Sequence, residues 1–340
     1  MPATREPAAL NLPPRVPLAR LPTPIEPSPR VGAALGLDLL YKRDDLTGLE
    51  LSGNKARKLE YLLAEAEAAG ADTLVTCGGV QSNHCRATAF AAAKRGLRAV
   101  LLLRVPDPAR PPAPEANVLL DRLAGAEIRW VSHDEYRRRA ELMDAVASEL
   151  RAAGRRAYVI PEGGSSPLGS LGYLLAVAEL RRQLPEAWRT GPLTLAYAVG
   201  SGGTGAGLEL GVRALGWKDA RPVGFAVCND AAYFRATIAA LCADARRRWP
   251  ALPEVPADEL RIDDGFIGPG YAQATSDGLE IIRRAAREDG VLLDPVYTGK
   301  AMLGLATRAR EPGGLPAPRV VFFHTGGAFG LFPFANALAG

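Results

Sequence analysis

Residues 193–207 read LTLAYAVGSGGTGAG, seven mostly apolar residues that run straight into a glycine-rich turn. An apolar, β-rich run of that length, closed by glycine, predicts a strand. The turn GSGGTGAG (200–207) opens a probable helix, so unpaired amides of the loop and of the helix N-terminus point at one place, where an anion is favoured. Two readings of it stand: a cup for a small phosphate-bearing cofactor, or a tight turn that needs glycine for its geometry. It does not end in Gly-Lys-Ser/Thr, so it is no Walker A loop, and as a dinucleotide fingerprint it lies late in the chain.

The alternation extends to both sides of this stretch. TLVTC (73–77), AVLLL (99–103), EIRWV (127–131) and AYVI (157–160) precede it, PVGFAV (222–227), GVLLD (290–294) and RVVFF (319–323) follow it, and LLYK (39–42) adds a short strand near the start. Helical segments separate them, as at 54–70, where Leu59, Leu62, Leu63 and Ala66 share one face and Gly70 closes the run. Strands alternating with helices predict an α/β fold with a parallel sheet. The prolines of residues 1–30 argue for an extended arm instead of an element. A chain of 340 residues, 48% hydrophobic, is large enough for two cores and predicts two domains.

Bulk properties narrow the function. A formal charge of +4 is too slight to imply nucleic acid, and the basic runs Arg137-Arg138-Arg139 and Arg246-Arg247-Arg248 read as solvated helix faces. No segment approaches the run of about 18 apolar residues that a membrane span needs, and the start lacks the apolar block of a signal peptide. A soluble cytoplasmic protein is expected. Cys77, Cys85, Cys228 and Cys242 form no CxxC pair, and His84, His133 and His324 are the only histidines, which argues against disulfides and a bound metal.

Four polar, glycine-containing turns follow expected strand ends: GGVQSNH (78–84), GSGGTGAG, DPVYTGK (294–300) and HTGG (324–327). Ligands of open α/β sheets bind beyond the carboxyl ends of strands, so these turns are expected to converge on one cleft. Only six lysines exist: Lys42, Lys55, Lys58, Lys94, Lys218 and Lys300. Lys42 at a strand end, Lys94 before a glycine and Lys218 in a polar turn read as surface residues. Lys55 stands at a helix start in SGNKARK, where the helix terminus, Arg57 and Lys58 disfavour an ammonium and lower its pKa, as an amine nucleophile towards an aldehyde requires. Its alternative is a solvated first-turn lysine, and Lys300 in YTGK is the other candidate. QSNH suits a carboxylate or a ring hydroxyl, or serves as a helix cap. Tyr297, Thr298 and Thr325 offer hydroxyls to a ligand or satisfy local partners.

Taken together and in order, KRDDLTGLELSGNKARKLEYL, GGVQSNHCRATA, GSGGTGAG, LDPVYTGKAMLGL and FFHTGG resemble the D-cysteine desulfhydrase and 1-aminocyclopropane-1-carboxylate (ACC) deaminase family, from about residue 14 to the end. ELSGNK, QSNHCRATA and the VCND…YF segment (227–234) resemble the plant-type desulfhydrases most. The resemblance implies a tryptophan-synthase-β-like α/β fold (fold type II of pyridoxal phosphate enzymes) with twisted, mostly parallel sheets flanked by helices. It also implies a large cofactor domain of residues 1–54 and 166–340, a small domain of 55–165, and a homodimer. Pyridoxal 5'-phosphate (PLP) would be the cofactor and Lys55 its Schiff-base lysine. Asn83 would meet the cofactor's ring hydroxyl, and Ser201, Gly202, Gly203, Thr204 and Gly205 its phosphate. Ser82 would lie beside the substrate, with Gln81 helping to hold its carboxylate and Asn83 helping to bind it, Tyr297 would face the reacting carbons, and Thr298 or Thr325 would stand at the pyridine nitrogen.

ACC deaminases carry a glutamate directly after the tyrosine, where this chain has Thr298. A carboxylate there keeps the ring nitrogen protonated and strengthens the electron sink that opening a cyclopropane needs; a hydroxyl does so weakly. PEGGSSPLG (161–169) departs too, with Ser166 where many relatives have Asn. The expected reaction is β-elimination from a small amino acid, D-cysteine giving pyruvate, hydrogen sulfide and ammonia. ACC deamination, elimination from L-cysteate, β-chloroalanine or a D-serine derivative, a nucleotide-binding protein and a non-catalytic PLP-binding protein are the alternatives.

Overall fold

The computed structural model describes residues 10–339; the first nine residues of the proline-rich arm lie outside them. Ten strands run β1 Ile25–Pro27, β2 Asp38–Lys42, β3 Thr73–Gly79, β4 Arg98–Val105, β5 Glu127–Ser132, β6 Ala157–Val159, β7 Leu193–Val199, β8 Ala220–Ala226, β9 Arg261–Asp263 and β10 Arg319–Phe323. They form a six-stranded sheet, β1-β2-β10-β7-β8-β9, and a four-stranded sheet, β5-β4-β3-β6. Every pairing is parallel except β1 with β2. The fold is the expected α/β architecture of two mostly parallel sheets flanked by helices. All strands of the four-stranded sheet fall within 55–165 and all strands of the other fall outside it.

The central strands earn their place by composition. β7 is buried at all seven residues and pairs in register from Leu193 opposite Ala220 to Val199 opposite Ala226, so its glycine turn and the end of β8 leave the sheet at one level. β3 is likewise buried throughout.

The two sheets are joined by helix Lys55–Ala68 lying on helix Pro167–Gln183. Gly172 makes this crossing close: a Cβ there would stand 2.6 Å from the carbonyl carbon of Arg57. A buried ionic cluster pins the same crossing. Arg57 donates to Asp44 at 2.8 and 2.9 Å and to Glu179 at 2.8 and 3.0 Å, and Tyr173 donates to Asp44 at 2.6 Å. Such a cluster is costly to break because the remaining charge is left buried and unpaired.

Lys42 belongs to this cluster, which corrects its reading as a surface lysine. It is wholly buried and donates to Glu179 at 2.5 Å, to the Thr23 carbonyl at 2.7 Å and to Gln183 at 2.7 Å. GVLLD (290–294) is also corrected: it is no strand. Pro295 offers no N–H, the Asp294 amide donates to Thr298 Oγ1 at 2.7 Å, and the Leu292 carbonyl accepts from His324 Nε2 at 2.9 Å, so the backbone is satisfied without a ladder. The three-residue strands β1 and β9 were too short to show a period. No helix among the described residues is long and apolar enough to cross a membrane.

Candidate active site

The carboxyl ends of β3, β7 and β10 and the start of helix Lys55–Ala68 open onto one cavity between the two sheets. Lys55, Ser82, Asn83 and Tyr297 line it, together with Ser201, Gly202, Thr204 and Thr325. Four other expected residues do not. Gly203 sits behind the turn with its amide on Ser165 Oγ at 3.1 Å, and Gly205 packs against Tyr197, whose ring a Cβ would meet at 3.1 Å.

Gln81 is turned away from the cavity: its Oε1 accepts from the Asn117 amide at 2.9 Å and its Nε2 donates to the Glu115 carbonyl at 3.3 Å. The expectation that Gln81 holds a substrate carboxylate is corrected, because both ends of its amide serve the start of helix Ala116–Leu123. Thr298 is fully buried and its hydroxyl donates to Asp294 at 2.7 Å while accepting from the Asp294 amide. Of the two threonines expected near the pyridine nitrogen, Thr325 faces the cavity and Thr298 does not.

Lys55 is the first residue of its helix, and Asn54 before it ties the helix to both neighbouring turns. The Asn54 amide donates to the Thr325 carbonyl at 3.1 Å and its side chain to Thr204 Oγ1 at 3.0 Å. The Lys55 ammonium is held only by the Gly163 carbonyl, at 3.3 Å. Its pKa falls to about 8, with burial as the cause and the nearby Glu162 carboxylate opposing it. The direction matches the sequence reading but the cause differs, since Arg57 points the other way, into Asp44 and Glu179. The neutral amine fraction grows tenfold per pH unit below the pKa. Capture of an aldehyde by Lys55 in the apoprotein should therefore rise about tenfold per unit up to about pH 8 and level off above it, measured as the rate of forming a borohydride-reducible adduct.

Lys58, one turn further on, is buried and donates to the Gly163 carbonyl and to Ser165 Oγ, each at 3.3 Å. Ser165 Oγ also lies 2.9 Å from Ser201 Oγ and accepts from the Gly203 amide. Burial and the adjacent Lys55 push the Lys58 pKa well down. Among the described residues no carboxylate pairs with Lys58. The result is a polar layer behind the Ser201–Gly202 wall of the cavity, made of one amine, two serine hydroxyls and the start of helix Gly203–Ala214, with Gly202 at φ +84° supplying a turn that L-residues resist.

Opposite Lys55, the Tyr297 hydroxyl lies 2.6 Å from that of Tyr271, their rings edge to face with centroids 6.0 Å apart. The Tyr297 amide donates to Asp294 at 3.0 Å, which fixes the turn. Burial pushes the Tyr271 hydroxyl up to about 12 and the Tyr297 hydroxyl well above its ordinary value, so both are neutral at physiological pH. The Arg104 guanidinium stacks 4.9 Å from the centre of the Tyr271 ring.

A family model described as "Pyridoxal-phosphate dependent enzyme" matches residues 16–326. The chain belongs to this family. The bifunctional D-cysteine desulfhydrase/1-aminocyclopropane-1-carboxylate deaminase of Arabidopsis thaliana, a mitochondrial protein, is 40% identical over 95% of this chain and 80% of its own length. The D-cysteine desulfhydrase of Klebsiella pneumoniae is 38% identical over 94% and 96%. A crystal structure described as an ACC deaminase homologue superposes with a TM-score of 0.87 at 38% identity, covering 98% of this chain and 99% of that one.

The cavity of this PLP-dependent enzyme fits the cofactor by its own chemistry. A buried amine without a counter-anion, two hydroxyls and a helix N-terminus form a site for a dianionic phosphate, and the partly neutral Lys55 suits an aldehyde. Sequence reasoning missed Asn54, Glu162 and Tyr271 as parts of the wall and Lys58 behind it. The glycines of PEGGSS marked the turn that brings Glu162 and Gly163 in. Tyr271 lies in an irregular segment before helix Ser276–Asp289, where no periodicity singles it out.

Proposed function

We propose that the chain is a lyase that eliminates a β-substituent from a small amino acid, with D-cysteine as substrate and pyruvate, hydrogen sulfide and ammonia as products. Lys55 would hold PLP, Ser201, Gly202 and Thr204 with Lys58 behind them would take its phosphate, Asn83 would meet its ring oxygen and Thr325 would stand at its ring nitrogen. Bound PLP supplies the electron sink for the pair left when the Cα proton departs. The Lys55 amine, once free, takes that proton, and its lowered pKa keeps a share of it unprotonated at neutral pH. The Tyr297 hydroxyl, backed by Tyr271 at 2.6 Å, stays neutral and donates a hydrogen bond to the sulfur as it departs as hydrosulfide. The substrate carboxylate falls to the Ser82 hydroxyl and the N-terminus of helix Asn83–Lys94, where Ser82 Oγ already accepts from the Cys85 amide at 3.1 Å.

The observation that carries this reading is the absence, among the described residues, of an unpaired acid in the cavity that Thr325 lines. The one carboxylate lining the cavity among the described residues is Glu162, and it is occupied by Tyr136 at 2.7 Å and Arg139 at 2.8 Å. A ring nitrogen met by a hydroxyl alone gives a sink adequate for a good leaving group such as hydrosulfide but poor for opening a cyclopropane. The test is a product assay: sulfide and pyruvate from D-cysteine should form at least about a hundredfold faster, in kcat/KM, than 2-oxobutanoate from ACC. ACC turnover without sulfide release would replace this reading with the deaminase.

A further inference from the structure

Asn117, the second residue of helix Ala116–Leu123, is wholly buried and touches the QSN turn at three points. Its amide donates to Gln81 Oε1 at 2.9 Å, and its side-chain Nδ2 donates to the Gln81 carbonyl at 3.0 Å and to Asn83 Oδ1 at 3.1 Å. The orientation of this amide is fixed by chemistry. Arg86 can only donate, and its guanidinium lies 3.3 Å from Asn117 Oδ1 and 3.4 Å from Asn83 Oδ1. Arg86 is itself held, by the Ser52 carbonyl at 2.6 Å and by the Phe329 ring, 4.8 Å from its centre. Oxygen therefore faces Arg86 on both asparagines, and Asn117 Nδ2 faces Asn83. The preceding Ala116 takes φ +48°, a left-handed backbone that costs an L-residue energy and is kept only where the surroundings impose it.

With its oxygen engaged by two donors, Asn83 has only its Nδ2 left for the cavity it lines. We propose that Asn117 is a positioning residue that, with Arg86, sets the polarity of Asn83, so that the site offers the cofactor's ring oxygen a donor and selects its deprotonated form. This rests on the reading of the cavity as a PLP site. A donor to an anionic oxygen is a charge-assisted hydrogen bond, stronger than one to a neutral group.

The substitution Asn117→Asp keeps the shape of the relay, turns its donor towards Asn83 into an acceptor and gives up the donor to the Gln81 carbonyl. A carboxylate facing Asn83 accepts Nδ2, the Asn83 oxygen then turns to the cavity, and a ring oxygen that keeps its proton becomes the better partner. The full-length variant saturated with PLP at neutral pH should lose most of its visible absorbance to a near-ultraviolet band, and hold PLP about tenfold or more weakly than the unsubstituted enzyme. Asn117→Ala, which removes the restraint without inverting it, should shift the ratio of the two bands in the same direction by less. A general loss of packing lowers the melting temperature but does not interchange the bands. If the unsubstituted chain takes up no PLP, the cofactor reading falls and this proposal with it. If that chain is yellow and the folded variants match its spectrum and affinity, the assignment of Asn117 alone is overturned.

Discussion

Lys55→Ala should lower the elimination rate by at least about 10⁴, because one substitution removes both the amine that holds the cofactor and the base that takes the Cα proton. The loss should be chemical and not structural. The Lys55 ammonium makes a single 3.3 Å hydrogen bond to Gly163, and burial has already driven its pKa down to about 8, so the side chain contributes little to folding and its removal relieves a desolvation cost. The melting temperature of the apoprotein should stay level or rise slightly. Lys58→Ala should separate from it in kind: it removes a phosphate partner, so cofactor affinity falls while the enzyme saturated with PLP keeps most of its rate. Stopped assays of sulfide, with and without excess PLP, check both. An active Lys55→Ala enzyme would remove Lys55 from the chemistry altogether.

Tyr297→Phe should reduce kcat by roughly 10²–10³ with a smaller change in KM, the range expected for losing a positioned hydrogen-bond donor. The phenyl ring still fills the space over Gly200, where a Cβ would stand 3.0 Å from the Tyr297 ring, so packing is retained. Tyr271→Phe serves as the internal comparison. Tyr271 touches Tyr297 through its hydroxyl and Arg104 through its ring, and the substitution keeps the ring contact while removing the hydroxyl that orients Tyr297. The expected loss is nearer tenfold. Equal, small losses in both variants would assign the hydrogen bond to the leaving group to another residue.

Much of this architecture was legible because it is locally encoded. β7 and β10 coincide with the apolar runs that announced them, and helix Lys55–Ala68 falls inside the segment marked by Leu59, Leu62, Leu63 and Ala66. The turn at 201–205 was visible as glycine after a strand, but that Gly203 and Gly205 lie behind the cavity was not. What escaped depends on partners distant in sequence. Lys42 reads as a strand-end lysine until Glu179, 137 residues away, is seen to pair with it. Gln81 and Asn83 are neighbours in one motif, yet Asn117 holds Gln81 outside the cavity while Asn83 lines it. Thr298 follows the tyrosine as a family glutamate would, but the Asp294 carboxylate captures its hydroxyl one helical turn away. The lowered pKa of Lys55 was anticipated from neighbouring charges and arises instead from burial, a quantity that only the assembled fold supplies.

One lysine of the six, Lys55, is expected to carry the cofactor. The holoenzyme should be reduced with borohydride, digested, and its peptides mapped by mass spectrometry for a phosphopyridoxyl group. The adduct is expected on Lys55 alone, with Lys58 and Lys300 unmodified. An adduct on Lys58 or Lys300, or a yellow protein that borohydride leaves unlabelled, would contradict the account.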